Sequence, residues 1–100
     1  MLTREKIIQT LRKEMPYLRR HYGVKRLGLF GSFAAQKQNR VSDVDLVVEF
    51  TRPIGLIFVD MAEHLEKKLG RKTDILTPAG IKDIRAKEVA KNIKRSLIYV

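Results

Sequence analysis

Two aspartates one residue apart, Asp43 and Asp45, stand at the head of the apolar run Leu46-Val47-Val48. Ten residues lie between Asp43 and an earlier pair, Gly31-Ser32, which directly follows another apolar run ending at Phe30. Residues i and i+2 of a strand project from one face, so the two carboxylates point the same way while Val44 and Leu46 turn aside to pack. Carboxylates held this close repel each other, and leaving them together without a cation is costly. Magnesium suits such a pair. It prefers oxygen ligands and takes one or two carboxylates, with water and substrate phosphates filling the remaining positions.

A third carboxylate on a neighbouring strand would complete the arrangement, and Asp74 is the candidate. It sits between Thr73 and Ile75 in a short apolar segment, where an unpaired carboxylate needs a reason. Beside the first pair it would allow two metal ions, one at a triphosphate and one at an attacking oxygen, as in-line phosphoryl or nucleotidyl transfer requires. Asp74 would then bind the second ion or take the proton from the attacking hydroxyl. Gly31 allows close approach of backbone to phosphate, a helix begun at Ser32 would aim its free N–H groups there, and the Ser32 hydroxyl adds a donor. Neither GxxxxGK[ST] nor GxGxxG occurs, so a P-loop or Rossmann site is not supported. Glu49 shares strand parity with the pair but lies further along and reads as solvated. His21 and His64 have no second histidine or cysteine at metal spacing and read as structural. Tyr99 reads as packing.

The elements that would position these groups follow from periodicity. Residues 3–15 carry Ile7, Ile8, Leu11 and Met15 at helical spacing, with Thr3 as N-cap. Pro16 predicts a break, with a short helical piece over 17–22 ending at Gly23. Val24–Phe30 reads as a strand in which Gly28 marks a close backbone approach. A short helix over 33–37, begun at Ser32, and a polar loop over 38–42 lead to a second strand, Val44–Phe50. That strand is apolar enough to be partly covered on both faces. Pro53 closes it. Ile57–Leu69 is a helix with Phe58, Met61, Leu65 and Leu69 at core spacing and Gly70 past its end. Residues 72–76 form a short strand carrying Asp74, stopped by Thr77-Pro78. From Ala79 the chain reads helical through Ile81, Ile84 and Val89. Its apolar end, 96–100, is exposed enough to pair with another copy. Helices and strands in this order predict a small α+β (or α/β-type) domain.

Bulk properties limit the alternatives. One hundred residues suit a single domain, 1–100, with one core. No apolar stretch approaches the roughly 20 residues needed to cross a bilayer, and the N-terminus has no signal-peptide core. The absence of cysteine excludes disulfides and thiolate metal sites and makes a reducing cytoplasm the expected location. A net charge of +10, from 21 basic and 11 acidic residues, favours polyanionic partners. The basic residues are dispersed, however, and no RNA-recognition or helix-turn-helix signature accompanies them, so direct nucleic-acid binding is not favoured.

Gly-Ser, ten residues, then Asp-x-Asp resembles the signature of the minimal nucleotidyltransferases of the DNA polymerase β-like superfamily. The surrounding LGLFGSFA and SDVDLVVEF, the later TDIL around Asp74, the leading helix and the closing IKRSLIYV are similar to that family too. The resemblance implies a nucleotidyltransferase fold, a short mixed β-sheet packed against helices. It implies Asp43, Asp45 and Asp74 as metal and catalytic residues, and Gly31 and Ser32 as nucleotide-binding. Such proteins are often antitoxins of toxin–antitoxin pairs, their partner a HEPN ribonuclease encoded nearby. The family's activity is transfer of AMP from ATP, with magnesium, to a tyrosine of that toxin. The resemblance thus implies a Mg-dependent protein adenylyltransferase using two Mg2+ ions and ATP. One departure stands out: many members have Arg-Gly where this chain has Ala35-Gln36. A cation near the triphosphate is lost, with Lys37 or Arg40 as possible substitutes. The alternatives are an antitoxin that neutralises its toxin by binding alone and a small basic nucleic-acid-binding domain.

Overall fold

Pro16 does not break the first helix. The computed structural model, which describes residues 2–82 and 87–100, runs α1 unbroken over Arg4–Tyr22. An interior proline forfeits one hydrogen bond and crowds the preceding turn, at about 3 kcal/mol. The buried stripe Ile7, Leu11, Met15, Leu18 and Tyr22 crosses the proline. Burying the two side chains beyond it contributes roughly 1.5–3 kcal/mol each, enough to outweigh the defect. Arg12 and Pro16 lie on the exposed side, where water can reach the carbonyl that loses its partner. Both predicted ends hold: the Thr3 hydroxyl accepts the Lys6 N–H at 3.2 Å, and Gly23 closes the helix in the left-handed region, φ 70°.

Four strands form one mixed sheet in the order β3-β2-β1-β4. They are β1 (Val24–Phe30), β2 (Val44–Phe50), β3 (Thr73–Leu76) and β4 (Ile98–Tyr99). β1 is antiparallel to β2 and β4, whereas β2 and β3 are parallel. On one face Leu27, Leu29, Val44, Leu46 and Val48 pack with the α1 stripe and with Met61, Leu65 and Leu69 of α3 (Ile57–Leu69). Phe58 is only partly buried against this core. The other face carries a smaller cluster, Phe30 and Val47 beneath Ile81 and Ile93. Those last two belong to α4 (Pro78–Lys82) and α5 (Lys87–Ser96). β2 is therefore covered on both sides, as its composition predicts.

The helix predicted through Val89 holds in α5, with Val89 itself 49% exposed, and Ile84 lies outside the described residues. Two expectations change. The chain end pairs within its own sheet, Tyr99 opposite Gly28 and Ile98 opposite Leu29. Gly28 makes that possible, because a Cβ there would sit 2.6 Å from Leu97 Cδ1. Second, α2 is Gly31–Ala34, starting and stopping earlier than the predicted 33–37. Gln36, in the left-handed region at φ 58°, turns the chain out of the helix.

Candidate active site

The register of β1 and β2 sets Asp45 opposite Phe30, so the turn into α2 at Gly31 lies against the Asp45 side chain. A Cβ on Gly31 would collide with Asp45 Oδ2. Gly31 also has φ 75°, where a side chain is disfavoured. Its N–H is directed at Ser96 Oγ at 3.4 Å. The structural need for glycine is thus room for a carboxylate.

Parallel pairing places Asp74 opposite Asp45. Asp43 precedes β2 by one residue and, like Asp45, is half-buried; Asp74 is exposed. The Asp45 carboxyl is pushed up to about 6, first by burial and then by the charges of Asp74 and Asp43. The three predicted carboxylates therefore form one electrostatic group. They are not a finished cage: among the described residues, no three His, Cys, Asp or Glu side chains are gathered closely enough to hold an ion. An all-oxygen set with positions left open matches magnesium, whose shell is completed by water and phosphates. Repulsion among the unneutralised carboxylates favours this open arrangement.

The loop before Asp43 is tied by its own polar side chains. Asn39 Oδ1 accepts the Val41 N–H and Ser42 Oγ accepts the Asn39 N–H, each at 2.9 Å. Arg71, from the turn between α3 and β3, donates to the carbonyls of Arg40 and Ser42 at 2.9 and 3.0 Å.

Beside the turn runs an open groove of about 510 Å³ between α2 and α5. Gly31, Ser32, Ala35 and Lys37 line one side, and Val89, Asn92, Ile93 and Ser96 the other. Lys37 is the only cation among these, and Arg40 does not reach the groove. Asn92 and Ser96 are groove residues that the sequence reading missed. Their i, i+4 spacing puts them on one helix face, but nothing local ties that face to Gly31-Ser32.

The remaining candidates lie elsewhere. His64 Nε2 and Glu14 Oε1 are 2.6 Å apart, and Tyr17 stacks on both His21 and His64; both histidines are structural. Glu49 is not simply solvated: it pairs with Arg26 at 3.1 Å and Lys25 at 3.8 Å. The Arg26 guanidinium lies 4.3 Å from the centre of the half-exposed Tyr99 ring. No helix among the described residues is long and apolar enough to cross a membrane.

Residues 6–100 match the model of a family described as "Nucleotidyltransferase domain". A chain from Methanocaldococcus jannaschii, assigned as a protein adenylyltransferase, is 40% identical over the full length of both. The protein adenylyltransferase MntA of Thermococcus cleftensis is 35% identical over 100% of this chain and 98% of its own. Among solved structures, one described as a minimal nucleotidyltransferase superposes with a TM-score of 0.71 at 24% identity, covering 97% of this chain and 95% of that one. Another, a toxin–antitoxin complex with AMP-PNP, superposes with a TM-score of 0.62 at 22% identity, covering 98% and 72%.

Proposed function

The chain belongs to the nucleotidyltransferase domain family, and from that premise we propose that it is a magnesium-dependent protein adenylyltransferase moving AMP from ATP to a tyrosine of a partner protein. The whole of 1–100 would act as one domain. The observation that carries this reading is the carboxylate group: Asp45 and Asp74 are paired across two parallel strands, and Asp43 acts on the same charge. Gly31 and Ser32 border a groove large enough for a nucleotide.

Asp43 and Asp45 would hold magnesium, with Asp74 as a further ligand or as base. When bound, the metal supplies neutralisation of phosphate charge. The tyrosine oxygen attacks the α-phosphorus, the bond from that phosphorus to the β-phosphate bridging oxygen breaks, and pyrophosphate leaves. As base, Asp74 would accept the phenolic proton; as metal ligand, it would leave that proton to water. Ser32 and Lys37 meet the triphosphate from the α2 side, so catalysis is largely positioning and electrostatics.

The relatives' names and the toxin–antitoxin neighbour support an antitoxin role. The partner would be a HEPN ribonuclease encoded nearby, in the cytoplasm. The test is incubation with labelled ATP, magnesium and the protein encoded by the adjacent gene. Label should appear on that protein and vanish with Asp43→Ala or Asp45→Ala. Full neutralisation of the partner by these variants, with no label, would overturn transfer in favour of inhibition by binding alone. The absence of a cation at Ala35 is what favours that second reading.

A further inference from the structure

Asp43 stands just outside the β2 ladder, yet both of its neighbours are fastened to one short segment. On one side the Ser42 carbonyl accepts from Arg71 Nη1 at 3.0 Å, and the same nitrogen donates to the Arg40 carbonyl at 2.9 Å. On the other side the Val44 N–H donates to the Lys72 carbonyl at 2.9 Å. One residue on, the Thr73 N–H donates to Glu66 Oε2 of α3 at 2.9 Å, which fixes the start of β3 immediately before Asp74. The segment 71–73 is thus a splint between the loop delivering Asp43 and the strand carrying Asp74.

We infer that Arg71 is a positioning residue that sets the Asp43 carboxylate against Asp45 and Asp74. The turn's own bonds stay within 39–42 and shape it without orienting it on the sheet. Arg71 supplies the orientation, because its two acceptors are the carbonyls immediately before Asp43 and two residues earlier. Arginine suits this role because it stays charged, is weakly hydrated, and carries donors in a rigid planar head. Its guanidinium also lies 5.7 Å from the centre of the Phe33 ring in α2, so one side chain touches the loop and the element that borders the groove. None of these contacts lines the groove itself. Arg71 therefore acts on placement of the carboxylate and not on nucleotide affinity.

This inference rests on the nucleotidyltransferase site proposed above, and its test separates the two. Arg71→Met keeps an unbranched stem for Phe33 and removes the donors; Arg71→Lys restores charge and donors without the fork. Arg71→Met should lower kcat for transfer to the adjacent-gene protein by between roughly tenfold and a hundredfold, with the KM for ATP unchanged. Hydrogen exchange at the amides of Val41, Ser42 and Asp43 should quicken, and Arg71→Lys should recover part of both. Wild-type exchange in Arg71→Met, or a KM for ATP that rises in step with the loss, would overturn the role. If the wild-type chain transfers nothing, the functional reading falls and exchange alone decides the splint. If Arg71→Met fails to fold, Arg71→Lys against wild type decides it by the same exchange measurement.

Discussion

The Asp45 carboxylate occupies the space that a Cβ on Gly31 would fill. Glycine in the turn and aspartate in the strand are therefore one feature, joined by a register that sets Asp45 beside Phe30. Gly70 provides a control, with a similar φ of 66° and nothing within 4 Å of where its Cβ would stand. Gly70→Ala should show the conformational penalty alone, net of glycine's greater freedom in the unfolded chain, up to about 1 kcal/mol, and keep transfer activity. Gly31→Ala should lose more stability and most of its activity, because the carboxylate must move. Denaturant melts and transfer rates on the two variants check this; equal losses would show that the contact does not matter.

Asp45 places function against stability. Its folded carboxyl, at about 6, lies above the ordinary 3.8. The folded state therefore holds the proton more tightly, and this group's contribution is fully present below the ordinary value and lost as pH rises through about 6. Asp45→Asn should accordingly be more stable than wild type at pH near 8, with the gap closing toward pH near 4. The variant should transfer nothing. Stability measured at the two ends of that range decides it, and a gap independent of pH would mean that neither burial nor the neighbouring carboxylates raise the Asp45 carboxyl.

If the groove holds a triphosphate as proposed, Lys37 is the cation that lines it, where the family resemblance implies an arginine at Ala35. Lys37→Ala should raise the KM for ATP between roughly tenfold and a hundredfold, the range for losing a hydrogen bond to a charged group. Arg40→Ala should leave it unchanged, since Arg40 is not among the residues lining the groove and its bond to Arg71 is made by the carbonyl, which alanine keeps. Ala35→Arg should lower the KM. Initial rates of transfer at varied ATP concentration read all three.

What the sequence revealed and what it hid divide along physical lines. Asp43, Asp45 and Asp74 were legible because strand parity is a local property and parallel pairing merely brought the third to the first two. The groove face of α5 and the Arg71 contacts were not. Both depend on chain reversals that set residues dozens of positions apart together, and a carbonyl acceptor leaves no mark in side-chain pattern. β4 escaped because two residues carry no periodicity. Its cue was indirect, in Gly28, which signals a close approach without naming the partner.

Gln36 shows how a departure from family pattern can leave the backbone intact. It sits at φ 58°, where a glycine would rest without strain. Gln36→Gly should therefore stabilise the protein by up to about 1 kcal/mol, the left-handed penalty less the greater freedom of glycine in the unfolded chain. The 3.4 Å contact of Gln36 Nε2 with Glu5 is exposed and long, and offsets little of this. A fall in melting temperature would show that the side chain matters more than the conformation.

Pro16 is the converse case, a local rule overridden by packing. Replacing it with alanine restores the N–H that can reach the Arg12 carbonyl and relieves the crowded turn, together worth about 3 kcal/mol in a helix interior. Part of that gain is cancelled, because proline restricts the unfolded chain by about 0.4–1 kcal/mol. The residue is exposed, so no core contact is lost. Pro16→Ala should thus raise stability by about 2 kcal/mol and leave transfer unchanged, because α1 meets the sheet on the face opposite Asp45. Equilibrium unfolding checks the first expectation and transfer kinetics the second. A variant no more stable than wild type would mean that the helix already bends around the proline at little cost, with Leu18 and Tyr22 packed in a geometry that straightening disturbs.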